Sequence, residues 1–596
     1  MEFFRVIKLV FKFTKEIWRL YKKRFIVMEL SVILAIFVGN LGIALLIPAF
    51  KFLEPLSADE KSPFLIDLMI RVFDFFNISP SFENVLVIIL FLLIFSFMAK
   101  IFEGYLRARI VVNIQLSFQK NLLKNALDAS YLKFQEFKTS EYQNTIIQEC
   151  HRAGRAFYLL CTFYSGIVMT VMCLVFAVLI SFESFLIVIL SGFIIAPLTN
   201  IFINRSNIAS KRIISNNENI AQVTSDILDG MKYIKSVRST NEMFEYAQEP
   251  ISGGKKLRVF LEKNLVNIST IPMSFSGVLL IVLLYLGVYQ FQIPILELGV
   301  FIVLVQKAYS AYSGMKSKQG GLVISIPSYF KAFDMIESLK EDKIDFDEGD
   351  ELSLQKSIVI DRLSYKVSDT TILSDISITI NKGDSIAIVG FSGSGKTTLM
   401  DIMLGLYPAS NGDVLYDGTS ISKISHQSLS ENLSFMSQTP FFYPASLRNN
   451  ITLGKDKHSD EEIIDVLKMV KLDSLLESLN FDLDAMVGGN YRALSGGEIQ
   501  RVALARELIK QSSILFLDEA TSALDNETEL HIKNVLEKLK GEKTIVLIAH
   551  RLSSIKNADC IYVMEKGQLV EQGKFDELIK KEGAFSKLYS TENINS

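Results

Sequence analysis

The sequence predicts a multi-domain membrane protein: an all-α transmembrane domain of six helices, followed by an α/β domain built on a phosphate-binding loop. Three observations carry this. Up to about residue 320 the chain holds long apolar runs of Phe, Ile, Leu and Val, while the remainder alternates strand-like and helical patterns of ordinary polarity. The connections between apolar runs alternate between short ones without Lys or Arg and long ones rich in both. In the second half, an apolar run leads directly into a glycine-rich segment ending in Lys396 and Thr397.

A chain of 596 residues exceeds what one hydrophobic core can hold, so two or more domains are expected. The net charge of -3 gives no electrostatic case for nucleic acid as a partner, because phosphate-backbone binding needs clustered Lys and Arg. A DNA-repair ATPase is therefore not expected. The four cysteines, Cys150, Cys161, Cys173 and Cys560, show no metal-ligand spacing and read as small core residues.

Residues 1–24 place Arg5, Lys8, Lys12, Lys15, Arg19 and Lys22 to Arg24 around Phe3, Phe4, Ile7, Val10, Phe11 and Trp18. This basic amphipathic pattern suits an elbow helix lying along the anionic inner leaflet. The apolar run that follows, about Phe25 to Phe50, is longer than the 7 to 15 residues of a signal-peptide core and lacks a small-residue cleavage site, so it reads as a retained span. Further spans are expected at Val85 to Ala99, Ala156 to Ile180, Phe185 to Ile203, Ile271 to Phe291 and about Leu296 to Tyr309, giving a membrane domain over 25–336.

The long connections, Lys100 to Arg155 and about Asn204 to Thr270, are basic; the short ones at Ser181 to Ser184 and Gln290 to Pro294 are not. Positive-inside bias puts both termini and both long connections in the cytoplasm. Helical periodicity in those connections predicts that the membrane helices continue into the cytosol and end in two turns, near Ser130 to Ser140 and Asp226 to Val237. Glu29, Lys100, Glu103, Glu297 and Lys307 fall in or near the spans. A charge at the bilayer centre costs roughly 2.5 to 3.5 kcal/mol, so such residues face a cavity or an interface.

A charged linker over 337–352 precedes the soluble domain, expected at 353–590 with a tail at 591–596. Ser385 to Val389 suits a buried parallel strand, and it enters Gly390, Phe391, Ser392, Gly393, Ser394, Gly395, Lys396 and Thr397, with Thr398 following. Glycines at that spacing let backbone N–H groups wrap phosphates at a helix N-terminus. Lys396 reaches the outer phosphates, and Thr397 can ligate magnesium. Downstream, Ile514 to Leu517 forms a second buried strand ending in Asp518 and Glu519. Asp518 suits holding magnesium through water, and Glu519 suits orienting or deprotonating the attacking water.

Leu494, Ser495, Gly496, Gly497 and Glu498 open a helix running to about Lys510, just before that strand. With this signature between the phosphate loop and the paired carboxylates, the soluble half resembles the ABC ATPases, and the six-span arrangement ahead of it resembles the half-size ABC exporters. The resemblance implies ATP and Mg2+ as cofactors and a head-to-tail dimer in which Ser495, Gly496 and Gly497 close over the γ-phosphate held by the partner subunit. It also implies that Gln438 senses magnesium, that Asp525 lies in the loop at the dimer seam, and that His550 contacts the γ-phosphate.

Two departures from the family stand out. Glu498 occupies a position where Gln is more common, and Val487 to Tyr491 lacks the glutamate many exporters carry before the signature. Aligning Leu363 to Val367 with the family's strand puts Tyr365 on the core side and Val367 where an adenine-stacking aromatic usually sits. Adenine is then held weakly, or by Tyr365 in another register.

The resemblance implies ATP-driven export or flipping by a homodimer, or by a heterodimer, and the Lys-rich, Ile-rich composition without a targeting sequence points to a bacterial inner membrane. Leu41 to Phe50 resembles the first helix of flippases for lipid-linked oligosaccharides, which points to a lipid or lipid-linked glycan. Multidrug and peptide export stay open, as does an ATP-gated channel or receptor.

Overall fold

The structure, a computed structural model, describes residues 2–51, 71, 73–74, 79, 81–455, 457–489, 491–518, 526–549 and 555–595. The chain divides into two compact units: Met1–Leu127 with Phe137–Glu341, and Asp128–Glu136 with Asp342–Ser596.

The first unit is helical. Its main helices are α1 (Glu2–Ala44), α2 (Phe82–Asp128), α3 (Cys150–Ile180), α4 (Phe182–Asp229), α5 (Thr240–Tyr289) and α6 (Ile295–Glu341). Among the described residues, six stretches are long and apolar enough to cross a bilayer: Ile17–Phe50, Phe82–Asp128, Thr139–Ile180, Phe182–Ser206, Thr240–Tyr289 and Ile295–Glu341. At 1.5 Å per residue, the 47 residues of α2 extend about 70 Å, more than twice a hydrocarbon core of about 30 Å. The polar connections are therefore continuous with the spans as helix. Ser181 alone joins α3 to α4, its side chain accepting the Ser184 N–H as an N-cap.

The backbone of α1 leaves helical geometry at Tyr21 (φ -127°), which separates the basic amphipathic segment from the first span. That segment does more than face lipid. Phe13 and Ile17 are fully buried, and the Phe13 ring meets the Tyr329 ring of α6 edge-on at 4.8 Å. Lys12 sits 4.5 Å over the Phe330 ring. Two expectations need correction. Residues 337–341, expected to open the linker, are the last turns of α6, where Lys340 and Glu337 pair at 2.6 Å along the helix. Phe137 belongs to the first unit, packed on Tyr142, so the turn expected over Ser130 to Ser140 is divided between the two units.

Among its described residues the second unit holds two main sheets, besides a two-stranded one pairing Ala445–Ser446 with Met486–Val487. One pairs β1 (Ser357–Val367) with β2 (Thr370–Asn381) and with β4 (Asn411–Tyr416), all antiparallel. The other has the order β9–β8–β3–β7–β6–β5, where β3 is Ser385–Gly390, β5 Leu433–Met436, β6 Ile514–Asp518, β7 Thr544–Ile548, β8 Cys560–Glu565 and β9 Gln568–Gly573. All neighbours in it are parallel except β8 and β9. β6 is buried at every residue, as an apolar strand with both faces covered must be.

The segment Asp128–Glu136 belongs to this unit. Ser130 N–H donates to Asp342 O (3.1 Å), and Ile344 N–H donates to Asp128 O (2.9 Å). Ser130 then caps the short helix Tyr131–Gln135. The Tyr131 ring lies 5.6 Å from that of Tyr407, whose hydroxyl donates to Gln135 Oε1 at 2.8 Å. The other turn, the helix Met231–Val237, stays with the first unit.

Candidate functional site

Parallel strands of one sheet end together, and the loops at their carboxyl edge form the ligand crevice of such sheets. Here Ile548 is level with both Asp518 and Ile388, and Met436 with Leu517. The phosphate loop leaving β3, Asp518 at the end of β6 and Gln438 two residues past β5 therefore collect on one edge. Glu519, Asp525 and His550 lie outside the described residues.

The loop needs its glycines for space. At Gly390 a Cβ would stand 2.2 Å from the Met564 carbonyl oxygen. At Gly395 (φ 95°) it would stand 2.6 Å from Leu373 Cδ2, so a side chain at either would displace the loop. The helix α7 (Lys396–Met403) starts directly behind. Lys396 turns its ammonium onto the loop's own carbonyls, donating to Gly390 O (2.8 Å) and Phe391 O (3.1 Å). Ser394 Oγ is buried without a hydrogen-bond partner among the described residues. Phe391, Ser392, Gly393 and Thr397 are exposed, and Thr398 is half-buried. An exposed run of loop backbone with a lysine folded over it and an unmatched buried hydroxyl fits a polyphosphate. Thr397 and Asp518 supply oxygen donors of the kind magnesium takes.

Electrostatics concentrate beside this edge. Burial pushes the Asp401 carboxyl of α7 up to about 6, and the neighbouring Asp518 charge adds to the effect.

The signature begins the helix α8 (Gly496–Ile509). Ser495 N–H and Ser495 Oγ both donate to Glu498 Oε2 at 2.8 Å, while Glu498 N–H donates to Ser495 Oγ at 3.2 Å, a capping box. Burial raises the Glu498 carboxyl, but the two Ser495 donors, with Arg492 and Arg501, hold it below the usual range. Glu498, the glutamate where Gln was expected, thus completes the capping box as its third residue, with Ser495 as the N-cap.

Tyr365 is not available to stack on adenine. It is 8 % exposed in the sheet core, with the Tyr407 ring 5.6 Å away, whereas Val367 is 53 % exposed. Register shifts in the β1–β2 ladder on either side of Tyr365 let residues 365 and 367 face differently. In the membrane unit, Glu103 pairs with Arg107 at 3.0 Å and Lys307 donates to Asn40 Oδ1 at 2.9 Å. The sequence reading passed over Lys316, a lysine of the last helix that is only 8 % exposed, and also passed over Tyr407. Lys316 lies past the expected final span, which ended at about Tyr309, and Tyr407 carried no signal.

A phosphate loop, a strand-end aspartate and a signature helix in one domain, following six membrane-length helices in the chain, define a membrane protein that carries a phosphate-binding domain. Residues 373–522 match the family described as ABC transporter. Among curated proteins, the chain is similar to the ATP-dependent lipid A-core flippase 1 of Colwellia psychrerythraea, 42 % identical over 228 residues, 38 % of each chain. It is also similar to the ATP-dependent lipid A-core flippase of Methylobacillus flagellatus, 31 % identical over 375 residues, 62 % of this chain and 63 % of that one. The chain spans only about two fifths of the length of the first relatives it matches, the Colwellia protein among them. A solved bacterial Atm1-family ABC exporter with ATP bound superposes with a TM-score of 0.72, covering 96 % of this chain and 98 % of that one; at 21 % identity this shows the fold. The chain is a multi-pass membrane protein carrying an ATP-binding domain.

Proposed function

We propose that this protein is an ATPase that exports or flips an amphiphile, a lipid or lipid-linked glycan, across a bacterial inner membrane, working as a homodimer with both termini in the cytoplasm. The observation that carries the proposal is the phosphate loop gathered with Asp518 and Gln438 at one sheet edge, in a chain with six membrane-length helices. The flippases to which the chain is similar are named for lipid A-core, and this supports a lipid over a drug or a peptide.

In this reading the loop amides and Lys396 hold the β- and γ-phosphates. Thr397 and Asp518 would hold magnesium, with Gln438 beside it, and the ion would offset the charge of the phosphates. Glu519 orients the attacking water, and His550 steadies the γ-phosphate. Ser495, Gly496 and Gly497 close over the nucleotide of the partner subunit, with Asp525 at the seam. Two chains, each contributing its ATP-binding domain, form the working unit. Closing the pair switches the helices, and hydrolysis resets them.

The test is reconstitution into proteoliposomes, with ATP turnover and translocation of fluorescent lipid, lipid-linked sugar and dye followed side by side. Lipid movement that requires ATP is expected. Turnover coupled only to dye would refute the lipid assignment, and ATP binding without turnover would refute the exporter.

A further inference from the structure

Unpaired charges of both signs around one cavity define a ligand that carries both signs. The membrane unit holds a cavity of about 710 Å³ where three separate stretches of chain meet. These are the basic segment of α1 at Lys12, the stretch at Phe137 and Glu141, and the far end of α6 from Pro327 to Ser338. The volume falls within the range of about 300 to 1,000 Å³ that small-molecule sites take. Phe137, Phe330 and Met335 supply apolar lining.

Four charges line the same cavity. Lys331 pairs with Glu141 at 3.4 Å, with the two side chains 42 % and 38 % exposed, so a ligand can share either partner at little cost. The Lys12 ammonium lies 4.5 Å over the Phe330 ring, and neither it nor the Asp334 carboxylate has an ion-pair partner among the described residues. Two cations and two carboxylates leave no net charge, so a ligand of one sign gains from one pair what it loses to the other. A zwitterion satisfies both. Lysine binds phosphate as a point charge. At the opposite end, a primary ammonium has three N–H donors for Asp334, whereas a quaternary ammonium has none, and the Phe330 face that would suit it is already covered by Lys12.

We propose that this cavity binds a phosphoethanolamine group, with Lys12 and Lys331 on the phosphate and Asp334 on the primary ammonium, and that its occupancy fastens the start of α1 to the end of α6. Along α6, Phe330 is about 52 Å from Ile295, while a bilayer with its headgroups measures about 40 to 45 Å. The cavity therefore stands at the membrane surface, on the side where α6 leads into the ATP-binding domain. Two sources reach that level, the headgroup of a phospholipid and soluble phosphoethanolamine. The site is independent of which molecule the protein transports.

The single tryptophan, Trp18, reports on it: Trp18 lies about 9 Å along α1 from Lys12, ahead of the break at Tyr21. Full-length protein in detergent is titrated in separate arms with dihexanoyl phosphatidylethanolamine, the matching phosphatidylcholine and phosphatidylglycerol, and soluble phosphoethanolamine. A saturable change in Trp18 fluorescence is expected with phosphatidylethanolamine, at a half-saturating concentration lower by about tenfold or more than for the other two lipids. Asp334→Asn and Lys12→Gln should each raise that concentration by about tenfold or more, while Asp334→Glu keeps it within about threefold, showing that charge rather than fold was lost. The same change from soluble phosphoethanolamine at equal or lower concentration supports the site and makes the free compound its source. No saturable change in the parent, or equal half-saturation in the parent and Asp334→Asn, overturns the site. Phosphatidylcholine binding as tightly as phosphatidylethanolamine overturns the role given to the ammonium. Tighter phosphatidylglycerol binding that Lys12→Gln abolishes would make this an anion site and overturn the zwitterion.

Discussion

Tyr407 holds the turn Asp128–Glu136 to the ATP-binding domain, and its removal has a magnitude that the geometry supplies. Two side-chain contacts are at stake: the hydroxyl bond to Gln135 Oε1 at 2.8 Å and the ring contact with Tyr131 at 5.6 Å. Each contributes about 1 kcal/mol, toward the low end for the ring pair because Tyr131 remains 40 % exposed. Tyr407→Ala should then loosen the turn by about 2 kcal/mol, a factor of roughly thirty, and Tyr407→Phe by about 1 kcal/mol, a factor of roughly five. The backbone bonds through Asp342 and Ile344 remain in both variants, so the chain path is kept. Hydrogen exchange reads the effect directly. The Phe134 amide, bonded to Ser130 O, should exchange faster by those two factors, with amides in the fully buried β6 strand as reference. Substrate-stimulated ATPase should fall while ATP binding persists. Equal Phe134 exchange in Tyr407→Ala and the parent would refute the docking argument. Faster exchange with stimulation intact would refute its link to transport.

Glu519→Gln should keep ATP affinity and lower turnover by about a hundredfold or more, because it removes the base while preserving shape; steady-state ATPase beside nucleotide-binding titration decides this. Val367→Tyr should tighten ATP at least about fivefold by giving adenine a stacking face on an exposed strand end, measured by equilibrium binding. Asp401→Asn should raise the thermal midpoint of nucleotide-free protein above about pH 6 and leave it unchanged near pH 4. The sign follows from linkage: with the folded pKa raised from 3.8 to about 6, the folded state binds the extra proton, and stability falls as pH rises through that window. A midpoint for Asp401→Asn parallel to the parent across pH 4 to 7.5 would show that Asp401 is not buried against Asp518.

The phosphate loop was legible because its constraint is local: only glycine tolerates Met564 O at 2.2 Å and Leu373 at 2.6 Å, and the lysine must follow at fixed spacing. The signature was legible for a related reason, since Ser495 and Glu498 form a capping box that needs only four residues. Tyr365 was not settled by the sequence, because strand alternation puts residues 365 and 367 on one face and a register shift separates them. Residues 337–341 looked like a linker because they are charged, but charges three apart can pair along a helix, as Glu337 and Lys340 do. Lys316 escaped notice because a lysine after an apolar run looks like the end of the span. Its burial depends on Asn200, more than a hundred residues earlier in the chain.

One strand joins the expected nucleotide side of the ATP-binding domain to the turn Asp128–Glu136. β1 carries Val367, exposed where adenine is expected, and two residues earlier Tyr365, whose ring lies 5.6 Å from that of Tyr407. Tyr407 in turn lies 5.6 Å from Tyr131 and bonds Gln135. A displacement of β1 on nucleotide binding therefore moves the residue that supports the turn, with no intervening flexible chain. Packed aromatic rings shift between discrete arrangements rather than deform, and this lets a small movement at one end be felt at the other. It follows that Val367→Tyr and Tyr407→Ala should not act independently. If β1 transmits the binding signal, the gain in ATP affinity from Val367→Tyr should raise substrate-stimulated turnover in the parent background and fail to do so when Tyr407 is alanine. Equal gains in both backgrounds would place the transmission elsewhere in the domain.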